Sequence, residues 1–262
     1  MKNYFGIWSI LTVALIVIAL LSCLDRISVF GMELKPSTIA EKLTRIPEAP
    51  ENNPIALADE KLKPTKPVND TVALDTASQS ILIIGDSMLE GLNPRLAAYA
   101  KENGHRLNSV IWYSSTTEYW GKSDTLKVFL RKFKPTFIFI SLGANELFVR
   151  NIEQDRDRYV KSLLKQIGDI PYVWIGPPNW KKDTGINRLI AANVPEGCFF
   201  LSDGMKFDRQ KDGAHPTHES AAKWLDSVAR WMPRHGAHPI KMKKPEARSG
   251  RPQSVTVLQP LH

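Results

Sequence analysis

An α/β chain built on a parallel sheet, with helices on both faces, is predicted by three features of this sequence. Short runs rich in Ile, Val, Phe and Trp recur at Ile81–Ile84, Leu107–Trp112, Phe137–Ile140, Tyr172–Ile175 and Phe199–Leu201. Between them lie longer segments whose apolar residues repeat at spacings of three and four, the period of an amphipathic helix. No hairpin turn joins successive runs, so each strand returns through a helix and runs parallel to the one before.

Ile81-Leu82-Ile83-Ile84 is too short and too β-branched for a helix, and Gly85 punctuates it, so it reads as a buried strand. Leu89, Leu92, Leu96, Tyr99 and Ala100 mark the helix behind it, which Gly104 stops. Leu107–Trp112 is the second strand, with the polar loop Ser114-Ser115-Thr116-Thr117 at its end. Leu126, Phe129, Leu130 and Phe133 mark another helix, broken by Pro135. Phe137–Ile140 is a third strand leading to Gly143-Ala144-Asn145, and Tyr159, Leu163, Leu164 and Ile167 mark the next helix. Tyr172–Ile175 is a fourth strand, ended by Gly176-Pro177-Pro178, and a helix near Ile186–Ala192 leads to a fifth at Phe199–Leu201. A long loop, Asp203 to Pro216, precedes a last helix with Ala221, Trp224, Leu225, Val228 and Trp231 on one face. The topology resembles the flavodoxin-like doubly wound arrangement, with about five parallel strands.

The ends of the chain have a different character. Tyr4–Leu24 is almost uninterrupted apolar sequence without a charge. It matches the roughly 20 helical residues that cross a bilayer and exceeds the usual hydrophobic stretch of a cleaved signal peptide. Residues 1–24 are therefore expected to be a single-pass signal anchor. Lys2 would hold the N-terminus in the cytoplasm, with the remaining chain on the periplasmic or extracellular side. Leu20-Leu21-Ser22-Cys23 also resembles a loose lipoprotein cleavage box, and simple cleavage is a third reading; all three export the rest of the chain. Residues 25–79 read as an extracytoplasmic linker, because prolines are frequent (Pro36, Pro47, Pro50, Pro54, Pro64, Pro67) and apolar periodicity is weak. Residues 80–233 form the expected domain. Residues 234–262 carry Arg234, Lys241, Lys243, Lys244, Arg248 and Arg251 against Glu246 alone, and are expected to be a basic disordered tail. The formal charge of +8 is thus concentrated outside the domain. No nucleic-acid motif is present, and the two cysteines, Cys23 and Cys198, imply no disulfide framework.

Three loops at the carboxyl edge of the predicted sheet carry chemistry. In open α/β sheets that edge is where ligands bind. The first loop holds Ser87, the second Asn145 and the third Asp212-Gly213-Ala214-His215. Acyl transfer needs a nucleophile, a base within reach, a carboxylate orienting the base, and donors for an oxyanion. Each piece has an ordinary alternative: Asp86 or Ser87 as a helix cap, Asn145 as a turn former, Asp212-Gly213 as a simple turn, His215 as a helix-start residue. His215 with His218 is too thin a set for a metal, and no cofactor is expected. It is the three motifs together, each after a strand, that point to catalysis.

These motifs resemble those of the SGNH, or GDSL-type, hydrolase superfamily, over about residues 80–232. The resemblance implies Ser87 as nucleophile, His215 as general base and Asp212 as its orienting partner. It implies the Ser87 N–H and the Asn145 amide as oxyanion donors. The family's third donor is a glycine N–H after the second strand. Here Tyr113-Ser114-Ser115-Thr116 stands in its place, leaving the Ser115 N–H or Gly121 for the role. The absence of G-x-S-x-G argues against an ordinary α/β-hydrolase elbow.

The expected function is a membrane-tethered serine esterase that removes small acyl groups, such as acetyl, from envelope glycans. An O-acetyltransferase using the same triad and a catalytically silent glycan-binding protein are the alternatives. Trp120 and Trp180, beside the edge loops, are candidates to line the substrate, with core packing as the equal alternative.

Overall fold

The structure is a computed structural model that describes residues 27–29, 32–34 and 72–260. The expected membrane segment, Tyr4–Leu24, lies outside the described residues. Among the described residues, no helix is long and apolar enough to cross a membrane. The chain divides into two units, Met1–Asp59 and Glu60–His262. In the first, β1 (Ile27–Val29) pairs antiparallel with β2 (Met32–Leu34), inside the stretch expected to be linker.

In the second unit the strands are β3 (Ser80–Gly85), β4 (Arg106–Trp112), β5 (Phe137–Ser141), β6 (Tyr172–Ile175), β7 (Phe199–Phe200) and β8 (Ser254–Leu258). The helices are α1 (Leu89–Glu102), α2 (Thr117–Lys122), α3 (Thr125–Phe133), α4 (Ile152–Ile167), α5 (Ile186–Asn193) and α6 (His218–His235). The sheet order is β7-β6-β5-β3-β4-β8, and every pairing is parallel. The chain leaves β3 for β4 on one side and later returns to β5 on the other. The order therefore reverses at β3, where open α/β sheets form their crevice.

Side chains alternate across a strand, and a sheet covered on both faces buries both sets. Ile81 and Ile83 of β3, with Phe137 and Phe139 of β5, pack under α1 and α6 against Leu92, Leu96, Trp224 and Val228. Leu82, Ile84, Ile138 and Ile140 pack on the other face, against Trp120, Leu126, Leu163 and Leu189 of α2 to α5. That is why β3 reads as an unbroken apolar run instead of an alternation: all six of its residues are buried.

The sheet has six strands, not about five, because residues after Pro233 are not a disordered tail. Helix α6 continues to His235, Ile240 and Met242 are buried, and β8 pairs with β4 from Asn108↔Ser254 to Trp112↔Leu258. Asp75 forms a bridge with Ile240, so the folded unit also begins before residue 80. The apolar signal of this segment was weak because β8 is an edge strand: Val255 and Val257 remain exposed, and only one face meets the core.

A buried polar cluster ties the segment down. Arg95 of α1 donates to Asp226 of α6 through Nε at 2.7 Å and Nη2 at 3.3 Å. Its Nη1 donates to the Ala247 carbonyl at 2.7 Å, and the Tyr99 hydroxyl donates to Asp226 at 3.0 Å. Lys244 adds a contact to the same carboxylate at 3.1 Å. Removing one member of a buried pair strands the other charge, at a cost of about 3–5 kcal/mol. Asp226→Ala is therefore expected to lower the melting temperature by on the order of 10 °C. Differential scanning calorimetry checks this; a change of only a degree or two would mean the cluster does not hold the segment.

Candidate active site

The site begins where β3 meets β5. A Cβ on Gly85 would lie 2.2 Å from the Ser141 carbonyl oxygen, so only glycine lets the two strands end this close. Asp86 comes next, fully buried, and its Oδ1 accepts the Met88 N–H at 2.9 Å. The start of α1 is thus satisfied by Asp86 and by backbone carbonyls. Ser87 does not cap the helix. Its Oγ lies 2.8 Å from His215 Nε2.

The other face of the imidazole meets the carboxylate: His215 Nδ1 and Asp212 Oδ2 are 2.7 Å apart. Asp212 Oδ1 accepts the N–H groups of Ala214 at 2.8 Å and His215 at 3.0 Å. Those two N–H bonds, then the imidazole, hold its pKa down to about 2. Both ring nitrogens of His215 are committed to hydrogen bonds, which leaves neither for a metal.

The Asp203–Pro216 loop is long, and its shape rests on a residue the sequence did not single out. Arg209 donates to the Ala214 carbonyl at 2.7 Å and to the Asn179 carbonyl at 3.0 Å. It thereby ties the His215 loop to the loop after β6. The backbone N–H of Gln210 adds a bond to the His215 carbonyl at 2.8 Å. No spacing or periodicity marks Arg209, because its partners are backbone carbonyls distant or irregular in sequence.

Asn145 sits in the short turn Ala144–Glu146 after β5. Gly143 opens the turn at φ 120°, a conformation that favours glycine. The Asn145 side-chain amide donates one hydrogen to the Ser115 carbonyl at 3.0 Å, leaving its second N–H for another acceptor. Ser115 itself is fully buried, and its N–H donates to the Trp112 carbonyl at 3.1 Å, closing a tight turn. Its expected role as an oxyanion donor is therefore corrected: that N–H is spent. Within the turn Ser114 takes the left-handed conformation, φ 56°, where glycine is usual. Gly121 packs against α4, where a Cβ would meet the Tyr159 carbonyl at 2.4 Å.

The two tryptophans part company. Trp120 is fully buried, donating to Ser115 Oγ at 3.0 Å, and does not line a substrate. Trp180 is half-buried and donates to the Ala144 carbonyl at 3.2 Å, directly behind Asn145. A cavity of about 850 Å³ lies between α1, α6 and residues 244–249; His218 lines it, but Ser87, Asp212 and His215 do not.

Two buried acids stand behind the site. Burial pushes the Asp86 carboxyl up to about 7, with the Glu146 charge adding to the rise. Glu146, fully buried, is also raised by burial, against hydrogen bonds from the Thr117 N–H at 2.9 Å and hydroxyl at 2.7 Å. Both groups bind protons more tightly folded than unfolded. The contribution of Asp86 to stability is complete below about pH 4 and is lost as pH rises through about 7, and that of Glu146 falls in the same direction. Urea unfolding at about pH 5 and about pH 8 should therefore give a lower unfolding free energy at the higher pH. Equal values would contradict the burial of these charges.

No family model matches the chain, and no curated protein is a significant match. Among solved structures, the chain is similar to a psychrotrophic esterase, EstA, from Pseudoalteromonas sp., inhibited by monoethylphosphonate. The identity is 18%, over 58% of this chain and 97% of that chain, with a TM-score of 0.42. It is also similar to a lipase/acylhydrolase from Enterococcus faecalis, at 20% identity over 62% of this chain and 98% of that chain, with a TM-score of 0.42.

Chemically, the arrangement can take a proton from Ser87, move it to Nε2 and stabilise the imidazolium with Asp212. In Asp212→Asn an amide N–H would face Nδ1, forcing the proton onto Nε2 and removing the base. The rate of Ser87 labelling by a fluorophosphonate is expected to fall by about 10³–10⁴ without loss of fold. Labelling at the parent rate would show that the carboxylate does not set the tautomer.

Proposed function

We propose that this chain is a serine esterase of the SGNH type. The observation that carries the reading is the continuous relay of 2.8 Å from Ser87 Oγ to His215 Nε2 and 2.7 Å from Nδ1 to Asp212. Ser87 Oγ attacks the ester carbonyl carbon while His215 takes its proton. The carbonyl oxygen becomes an oxyanion, held by the Ser87 N–H and the free N–H of the Asn145 amide. Ser114, exposed at the left-handed corner of the same turn, supplies the third N–H in place of the expected Ser115. Collapse of the tetrahedral intermediate expels the alcohol, which receives the proton from His215 and leaves Ser87 acylated. Water, deprotonated by His215, then releases the acid and restores the serine.

The substrate class comes from the sequence. Tyr4–Leu24 is read as a signal anchor, with the second unit on the outer side of the cytoplasmic membrane. The esters within reach are then those of envelope glycans, and small acyl groups such as acetyl are the proposed cargo.

Ser87→Ala is expected to reduce hydrolysis of 4-nitrophenyl acetate to background. Asn145→Ala should lower kcat by about 10²–10³ with little change in KM, because one oxyanion donor acts only in the transition state. Parent activity in purified Ser87→Ala would end the serine mechanism.

A further inference from the structure

Phe148 is 57% exposed, more than any other large apolar side chain among the described residues. It lies three residues beyond Asn145, and its ring meets Trp180 edge to face, with centroids 5.4 Å apart. Because Trp180 is hydrogen-bonded to Ala144, this aromatic corner is attached to the loop that presents Asn145. Lys181 lies over both rings, its Nζ 4.6 Å from the Phe148 centroid and 4.9 Å from that of Trp180. An aromatic left this open contributes little to the core, and a lysine resting on two rings is held in place without an acidic partner.

The charges nearby are unbalanced. Arg150, Lys181 and Lys182 take part in none of the ion pairs among the described residues. Of the adjacent acids, Glu153 pairs with Arg188, and Asp183, which accepts the N–H groups of Gly185, Ile186 and Asn187, offsets one of these three cations. The rim beside Asn145 is therefore cationic around an open aromatic surface.

We propose that Phe148, Trp180 and Lys181 form a subsite for an anionic glycan, a pyranose ring lying on the aromatic corner with its carboxylate on Lys181. The inference rests on the reading of Ser87 as the nucleophile of an esterase. A pyranose offers an apolar C–H face and a polar rim in one rigid unit, which matches an aromatic surface edged by an ammonium. An acyl chain would instead have to cover that ammonium with methylenes and desolvate it without a partner.

Isothermal titration of the full chain in detergent, carrying Ser87→Ala, against a short oligogalacturonate tests this. Binding is expected, weakening as salt is raised. Phe148→Ala and Lys181→Gln should each reduce affinity about tenfold, and neutral xylotetraose should bind at least as much more weakly. Val128→Ala, on the exposed side of α3, should bind like its parent. No binding of oligogalacturonate, equal binding of the neutral sugar, or parent affinity in both variants would overturn the subsite. Turnover of 4-nitrophenyl acetate by the unmutated chain separates the two readings. Turnover without oligogalacturonate binding removes the subsite and leaves the esterase; binding without turnover removes the esterase and leaves a glycan site.

Discussion

The close approach of β3 to β5 at Gly85 and Ser141 is the constraint on which the rest of the site depends. The Ser141 carbonyl accepts the Asp86 N–H at 3.2 Å, and a side chain on Gly85 would collide with that same oxygen. Two loops are thereby delivered to one point. One carries Ser87 and the other Asn145, and they flank the position where the strand order reverses. A parallel sheet without a seam this tight would hold the two loops farther apart.

Rigidity behind this seam is obtained at a cost. Asp86 and Glu146 are carboxyls placed out of water next to the loops they support. Asp86 accepts from Met88, while its Oδ2 has no hydrogen-bond partner among the described residues. Glu146 is anchored by Thr117 and approached by Arg156 at 3.3 Å. Hydrophobic side chains of equal volume would give a more stable core, since buried charge seldom repays its desolvation. The acids do what apolar groups cannot: they fix backbone N–H groups, Asp86 that of Met88 and Glu146 that of Thr117.

His215 is positioned by a different device. The Asp212–His215 turn is largely exposed, and burial does little to order it. Asp212 instead draws two backbone N–H groups and the imidazole around one carboxylate, while Arg209 fastens the loop to the chain after β6. Because the geometry is held by directional bonds within a short turn, the His215 imidazole keeps its orientation while remaining partly open to solvent.

The sequence by itself determined the parallel α/β class, five of the six strands, five of the six helices (all but α2) and the residues that meet as Ser87, His215 and Asp212. These were legible because buried parallel strands need unbroken apolar runs, and because the three motifs end such runs at one edge of the sheet. Asn145 was legible for the same reason. Tertiary structure alone decided the remainder. The segment after Pro233 carries too many cations and too few apolar residues to announce a strand. It folds because Arg95 and Asp226 hold it across two helices and β4 offers an open edge. Trp120 and Trp180 look alike in sequence, yet one fills the core and the other backs Asn145, since burial depends on what a helix or loop is packed against. The turn after β4 could spend either of two serine N–H groups on closing itself. The choice of Ser115 is set by the left-handed backbone of Ser114, a dihedral that residue type does not encode when the residue is not glycine.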